Sequence, residues 1–131
     1  MFDDQSRRNA LKILGGSLLA GALPLGAVTP AFAANKRIAL VVKNLGNSYF
    51  DACRDGAQQA AKELGGIEII YTAPTKATAE DQIAVIDALI AQKVDGIIVS
   101  ANDANALVPV GKKAAQRGIT FLLVPMDQPG V

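Results

Sequence analysis

The residues of this sequence that could do chemistry are polar and aromatic side chains gathered in three short stretches. The first stretch contains Lys43, Asn44, Asn47, Tyr49 and Phe50, the second contains Ser100, Asn102 and Asp103, and the third contains Asp127 and Gln128. Amides, carboxylates and a lysine can exchange hydrogen bonds with several hydroxyl groups at once, while aromatic rings cover the apolar face of a pyranose or furanose. These residue types together are typical of a sugar-binding site.

Several of these residues also have a simpler structural interpretation. Asn102 or Asp103 could cap a helix, because both residue types accept hydrogen bonds from free backbone N–H groups. Phe50 could belong to the hydrophobic core, and Tyr49 could be an aromatic residue of the surface. The sequence favours a binding site only if the three stretches meet at one edge of the fold.

Enzymatic chemistry finds little support in the sequence. Histidine is absent, and Cys53 is the single cysteine, so a serine or cysteine hydrolase would lack its imidazole base and a Cys/His zinc site cannot form. The first loop, KNLGNS, matches neither glycine-rich phosphate-binding motif, and Lys43 and Asn44 stand where a phosphoacceptor site would need acidic residues. We therefore expect a protein that is not an enzyme and that holds neither a metal nor a cofactor.

The first stretch follows a predicted strand and leads into a predicted helix. Residues 37–42 form an apolar run that is typical of a strand buried on both faces. Ser48, three residues before Asp51, predicts the N-cap of a helix that stops at Gly65. Its predicted apolar face consists of Phe50, Cys53, Ala57, Ala60 and Leu64, which would bury the thiol of Cys53.

The same pattern continues along the chain. Strands are predicted at residues 67–71, 96–100 and 119–124, with a helix from Thr78 to about Lys93 and another from Asn102 or Asp103 to about Arg117. Pro109 within the last helix is tolerable only in its first turns. The order β-α-β-α-β-α-β predicts an α/β fold, a parallel sheet with helices on both faces, because such crossovers are right-handed. All β-to-α loops then converge on one edge, where ligands bind in open α/β sheets.

Residues 1–33 have the features of an export signal. Two arginines, Arg7 and Arg8, precede an apolar run at residues 13–28, and Ala31-Phe32-Ala33 gives a small-x-small end. The pattern SRRNALK resembles a twin-arginine signal, with Ala10 in place of the usual phenylalanine. The run is too short and too glycine-rich for a membrane anchor. We expect cleavage after Ala33 and a mature domain of residues 34–131 in the periplasm.

The predicted mature domain carries equal numbers of acidic and basic residues and has no basic tract. The sequence therefore gives no electrostatic reason to expect a nucleic acid partner.

The sequence resembles a known family in four of its segments. The segments KNLGNSYF, GAQQAAKELG, IAQKVDGIIVSAND and KKAAQRGIT resemble the start of a type 1 periplasmic sugar-binding protein of an ABC importer. The likeness is strongest to rhamnose-binding components, with autoinducer-binding proteins a near second. The resemblance implies two α/β lobes that close on the sugar and deliver it to a membrane permease.

The resemblance also implies roles for individual residues. Asn47, Tyr49 and Phe50 would line the sugar, Lys43 would match the ligand-contacting lysine of the autoinducer branch, and Ser100 would reach the site after the third strand. The family expects an aromatic residue and an aspartate after the fourth strand, whereas this sequence has Met126 before Asp127 and is about two residues longer there. Asp127 is the best match for the carboxylate that grips the sugar hydroxyls.

Family members usually have roughly 300 residues in two lobes. We therefore expect residues 34–131 to be an incomplete, truncated N-terminal lobe that binds sugar weakly or not at all, with a hydrophobic edge at its fourth strand. A stand-alone periplasmic binding or sensing module that works with another chain is the alternative, and an enzyme comes third.

Overall fold

The computed structural model describes residues 35–124, which alternate strands and helices throughout. The elements are β1 (Lys36–Val41), α1 (Ser48–Leu64), β2 (Ile67–Thr72), α2 (Ala79–Ala91), β3 (Gly96–Val99), α3 (Val108–Gln116) and β4 (Thr120–Leu123). The four strands form one parallel sheet in the order β2-β1-β3-β4. The predicted fold class and the predicted element order are confirmed.

Each face of the sheet packs against its own helices. Ala39 and Val41 of β1 point to one face, where they join a core built with α2 and α3. Leu40 and the following Val42 point to the other face, where they pack with Phe50 of α1. Because β1 is apolar on both faces, it becomes a central strand, and the β-to-α loops after β1 and β3 lie side by side.

The N-cap of α1 differs from the prediction. Asn47, not Ser48, has the extended backbone of a cap, and its side chain accepts a hydrogen bond from the backbone N–H of Tyr49 at 3.0 Å. Asparagine and serine are nearly equivalent caps, so composition alone could not choose between two neighbours.

The buried face of α1 is also narrower than predicted. Phe50 is buried, and Cys53 and Ala57 are half-buried against the same cluster, but Ala60 and Leu64 are exposed. Ala61 is the residue that the last turns bury. The predicted burial of Cys53 as a core residue is met only in part, because Cys53 packs against this cluster but is only half-buried.

Helix α3 begins later than predicted, at Val108 rather than directly after Asn102 or Asp103. Asp103 instead stabilises the preceding turn, where its Oδ1 accepts hydrogen bonds from the N–H groups of Asn105 at 2.9 Å and Ala106 at 3.0 Å. Pro109 lies in the first turn of α3, the position at which the sequence allowed it.

Part of the sheet face that carries α1 stays open among the described residues. Over β1, β3 and β4 a groove of about 420 Å³ has Ile38, Ile98 and Leu122 among its lining residues. Strand β4 forms the edge of the sheet, and Leu122 is 50% exposed there. The expectation of a hydrophobic edge at the fourth strand is confirmed for the described residues.

Candidate functional site

The carboxyl ends of β1 and β3 bring two of the three predicted stretches to the same edge of the sheet. The N–H of Ser100 donates to the carbonyl of Val41 at 2.9 Å, and the N–H of Val42 donates to the carbonyl of Thr72 at 3.0 Å. These bonds extend the ladder beyond the strands, so the loops that begin at Lys43 and at Ala101 start from adjacent points.

In the first loop, the aromatic pair is held by the start of α1. The rings of Tyr49 and Phe50 meet edge to face with centroids 5.4 Å apart. Phe50 is buried in the cluster of Leu40 and Val42, whereas Tyr49 is half-buried at its margin. Phe50 thus has the core role that the sequence allowed, and Tyr49 is the ring with surface left for a ligand.

The polar residues of the first loop differ in how they are held. Asn47 uses its side-chain oxygen to cap α1. Asn44 is exposed, and its Nδ2 donates to the neighbouring carbonyl of Leu45 at 3.3 Å. Lys43 is half-buried. Gly46 has φ 79°, so the loop turns through a conformation that favours glycine between these side chains.

In the third loop, Ser100 is completely buried and Asn102 is half-buried. The Nδ2 of Asn102 is buried without a hydrogen-bond partner among the described residues. A buried amide donor without a partner costs roughly 1–3 kcal/mol, so such groups are rare unless a ligand or water satisfies them.

Gln82 belongs to the candidate site and was not predicted from the sequence. It lies on α2, is completely buried, and reaches the ends of both neighbouring strands. The sequence spacing could have identified it, because Gln82 stands four residues before Ile86 and seven before Leu89. This spacing places a polar side chain on the apolar face of the helix. A polar residue on such a face needs buried partners.

A polar cluster lies beside the start of α1. Arg54 sits over the ring of Tyr71 at 5.5 Å and pairs with Asp51 at 3.4 Å and with Asp55 at 2.8 Å. The hydroxyl of Tyr71 donates to Asp51 at 3.4 Å. Partial burial, followed by the negative charge of Asp51, raises the pKa of the Tyr71 phenol above its ordinary value. The phenol therefore stays neutral and acts as a donor at neutral pH.

The remaining predictions fall outside the described residues. Asp127 and the whole export signal, including its cleavage after Ala33, belong to this group. Within residues 35–124, no group of three histidine, cysteine or acidic side chains is placed to hold a metal ion. No helix in that same range has the length and hydrophobicity to span a membrane.

The parallel sheet, with polar loops at the carboxyl ends of its central strands, is an α/β domain, and comparison with known proteins gives its family. Residues 38–130 match the family described as periplasmic binding protein domain, and the chain belongs to that family.

Among its relatives is a D-ribose/D-allose-binding protein of Pseudomonas aeruginosa, which is 37% identical over 76% of this chain and 32% of its own length. A solute-binding protein of Clostridium phytofermentas with bound L-rhamnose is 38% identical over 71% of this chain and 29% of its own, with a TM-score of 0.64. LsrB from Clostridium saccharobutylicum, in complex with AI-2, is 28% identical over 65% and 26%, with a TM-score of 0.61. The chain spans about a third of the length of the curated relatives it matches.

Proposed function

We propose that this chain forms one side of the sugar-binding site of a periplasmic binding protein that serves an ABC importer. The ligand is a monosaccharide such as L-rhamnose, D-ribose or D-allose, and the protein performs no catalysis. Export by the predicted signal, cleavage after Ala33, a periplasmic location and delivery of the sugar to a membrane permease are parts of this proposal.

The observation that carries the proposal is the unpartnered Nδ2 of Asn102 at the ligand-facing edge. A sugar hydroxyl is an acceptor as well as a donor, and it would complete the bonding of this amide once the half-buried side chain of Asn102 turns toward the surface of the loop. The half-buried ring of Tyr49 in the adjacent loop offers the apolar surface that a sugar ring covers. Lys43, Asn44, Asn47 and Ser100 are proposed as further polar neighbours, with Asp127 as the carboxylate that grips hydroxyls.

The described residues supply one side of the site, so binding by this chain alone should be weak. A sugar held on one side stays largely hydrated, and each new hydrogen bond mostly replaces one to water. The test is therefore a titration of the ¹⁵N-labelled protein with each of the three sugars, followed by two-dimensional NMR. Shifts should be confined to residues 43–50 and 100–102 and to Asp127.

A matched pair of variants sharpens this test. Asn102→Ala should reduce the shifts at a given sugar concentration, whereas Asn105→Ala, an exposed asparagine of the same loop, should not. Absence of shifts with every sugar, or equal behaviour of the two variants, would refute the proposed role of this edge.

A second candidate ligand is a small autoinducer of the AI-2 kind. Lys43 in the first loop favours it, because the resemblance assigns a ligand-contacting lysine to this position in the autoinducer branch. Adding AI-2 to the same titration separates the two candidates: larger shifts with AI-2 than with any of the three sugars, and loss of that preference in Lys43→Met, would favour the autoinducer.

A further inference from the structure

The carboxamide of Gln82 connects the first and third β-to-α loops. Its Nε2 donates to the carbonyl of Ser100 at 2.9 Å and to the carbonyl of Val42 at 3.4 Å. Its Oε1 accepts from the backbone N–H of Asn102 at 2.9 Å. A single side chain from α2 thus contacts the residue after β1, the residue after β3 and the loop residue with the unpartnered amide.

These three contacts fix the orientation of the carboxamide. Two carbonyl oxygens can accept but not donate, so both must face the NH₂ group, and an N–H must face the oxygen. A reversed amide would place Oε1 against two carbonyls and Nε2 against a donor. Because Gln82 is completely buried, solvent could not compensate for such a reversal.

The backbone groups that Gln82 contacts lie where the loops with the candidate ligand-binding side chains begin. Val42 directly precedes Lys43 and the loop to Tyr49, and Ser100 and Asn102 belong to the other loop. The backbone hydrogen bonds between β1 and β3 end at these residues. The distance between the two loops that follow therefore depends on side-chain contacts. Gln82 is placed to set that spacing before any ligand arrives.

We propose that Gln82 is the positioning residue of this binding site, holding the two loops at the separation that a sugar requires. This inference rests on the proposed function for its ligand. Without Gln82, the loops would have to be ordered at the moment of binding, and that loss of freedom would weaken the affinity.

The first experiment needs no ligand. In the ¹⁵N-labelled protein, the amide proton of Asn102 should exchange slowly, and Gln82→Met should increase its exchange rate at least about tenfold, because the acceptor is gone while the volume is kept. Resonances of residues 43–47 should also broaden or shift. The matched control is Ile86→Ala on the same helix, a fully buried residue of the core cluster. It should lower the melting temperature and leave Asn102 protected.

The second experiment measures sugar affinity by the same NMR titration, well below the melting temperature of each variant. Gln82→Met should weaken binding about tenfold, whereas Ile86→Ala should leave it unchanged. In the wild-type protein, sugar should also slow exchange of the Gln82 side-chain amide protons. This last measurement needs no variant, so it still tests the proposal if Gln82→Met does not fold.

Equal exchange rates and equal affinities in the two variants would overturn the positioning role and leave Gln82 as an ordinary core residue. If the wild-type protein binds none of the three sugars, the proposed function fails. In that case the exchange of Asn102 still decides whether Gln82 holds the two loops together.

Discussion

Gly111 of α3 lies directly against the ring of Phe121 in β4. A Cβ added at Gly111 would be 2.8 Å from Cε1 and 2.9 Å from Cδ1 of that ring, which is closer than carbon atoms approach in folded proteins. The glycine that weakens α3 by its low helix propensity therefore allows the helix to approach the edge strand. Phe121 in turn packs against the core shared by α2 and α3.

We predict that Gly111→Ala destabilises the protein by about 1 kcal/mol. The alanine gains about 1 kcal/mol of helix propensity, but displacing a packed aromatic ring costs about 1–3 kcal/mol. Urea denaturation followed by circular dichroism measures the difference. Gly56→Ala in α1 is the control, because an added Cβ there contacts nothing within 4 Å. It should stabilise by about 0.5–1 kcal/mol. Stabilisation by both alanines would show that the ring yields freely.

The arrangement of elements could be predicted from the sequence because it depends on patterns that extend over many residues. Apolar runs at β1 and β3, and glycines after α1 and α3, mark strands and helix ends. These patterns predict helices on both faces, but the assignment of α1 to one face and of the other two helices to the opposite face also needs the observed strand order β2-β1-β3-β4. The position of the proposed binding edge follows from the parallel order, which gathers the β-to-α loops at the carboxyl ends of the strands.

The details that differ from prediction depend on single residues for which two local structures are about equally favourable. Asn47 and Ser48 are both good caps, and Asp103 can stabilise a turn as well as start a helix, so local chemistry alone does not decide. The bridge made by Gln82 reaches Val42, which is 40 residues away in the sequence, and Ser100, which is 18 residues away. A contact of that kind becomes visible only when the fold is known.

Asp95 connects β1 to β3 at the edge opposite the candidate site. Its Oδ2 accepts from the backbone N–H of Arg37 at 2.8 Å, and its Oδ1 pairs with Lys36 at 3.2 Å. The hydrogen bond from Arg37, and after it the contact with Lys36, lowers the pKa of the Asp95 carboxyl below its ordinary value of 3.8.

A lowered pKa means that the folded protein favours ionised Asp95. Its contribution to stability is therefore complete above pH 3.8 and is lost as the pH falls through the lower folded value. We predict that the stability difference between wild type and Asp95→Asn shrinks below that pH, as measured by urea denaturation across an acid series. Lys36→Met should retain most of this pH dependence, since the backbone bond is the larger cause. A difference that stays constant with pH would contradict the assignment.

The exposed edge of β4 should promote self-association. Leu122 is 50% exposed on an edge strand whose outer N–H and C=O groups have no neighbouring strand within residues 35–124. A lysine in an edge strand opposes pairing with another chain. Leu122→Lys should therefore raise the highest concentration at which the protein is still monomeric. The free energy of unfolding should change by no more than about 1 kcal/mol, because half of the side chain is already in water.

The matched control is Leu64→Lys, the same substitution at a leucine that is 75% exposed and lies at the end of α1 rather than in a strand. Sedimentation velocity over a concentration series compares the two variants with the wild-type protein. We expect Leu122→Lys to remove the faster-sedimenting species and Leu64→Lys to leave them. If both lysines reduce association equally, hydrophobic exposure in general drives it, and strand pairing at β4 does not. If the wild-type protein is monomeric at every concentration, the edge is not adhesive and the prediction is wrong.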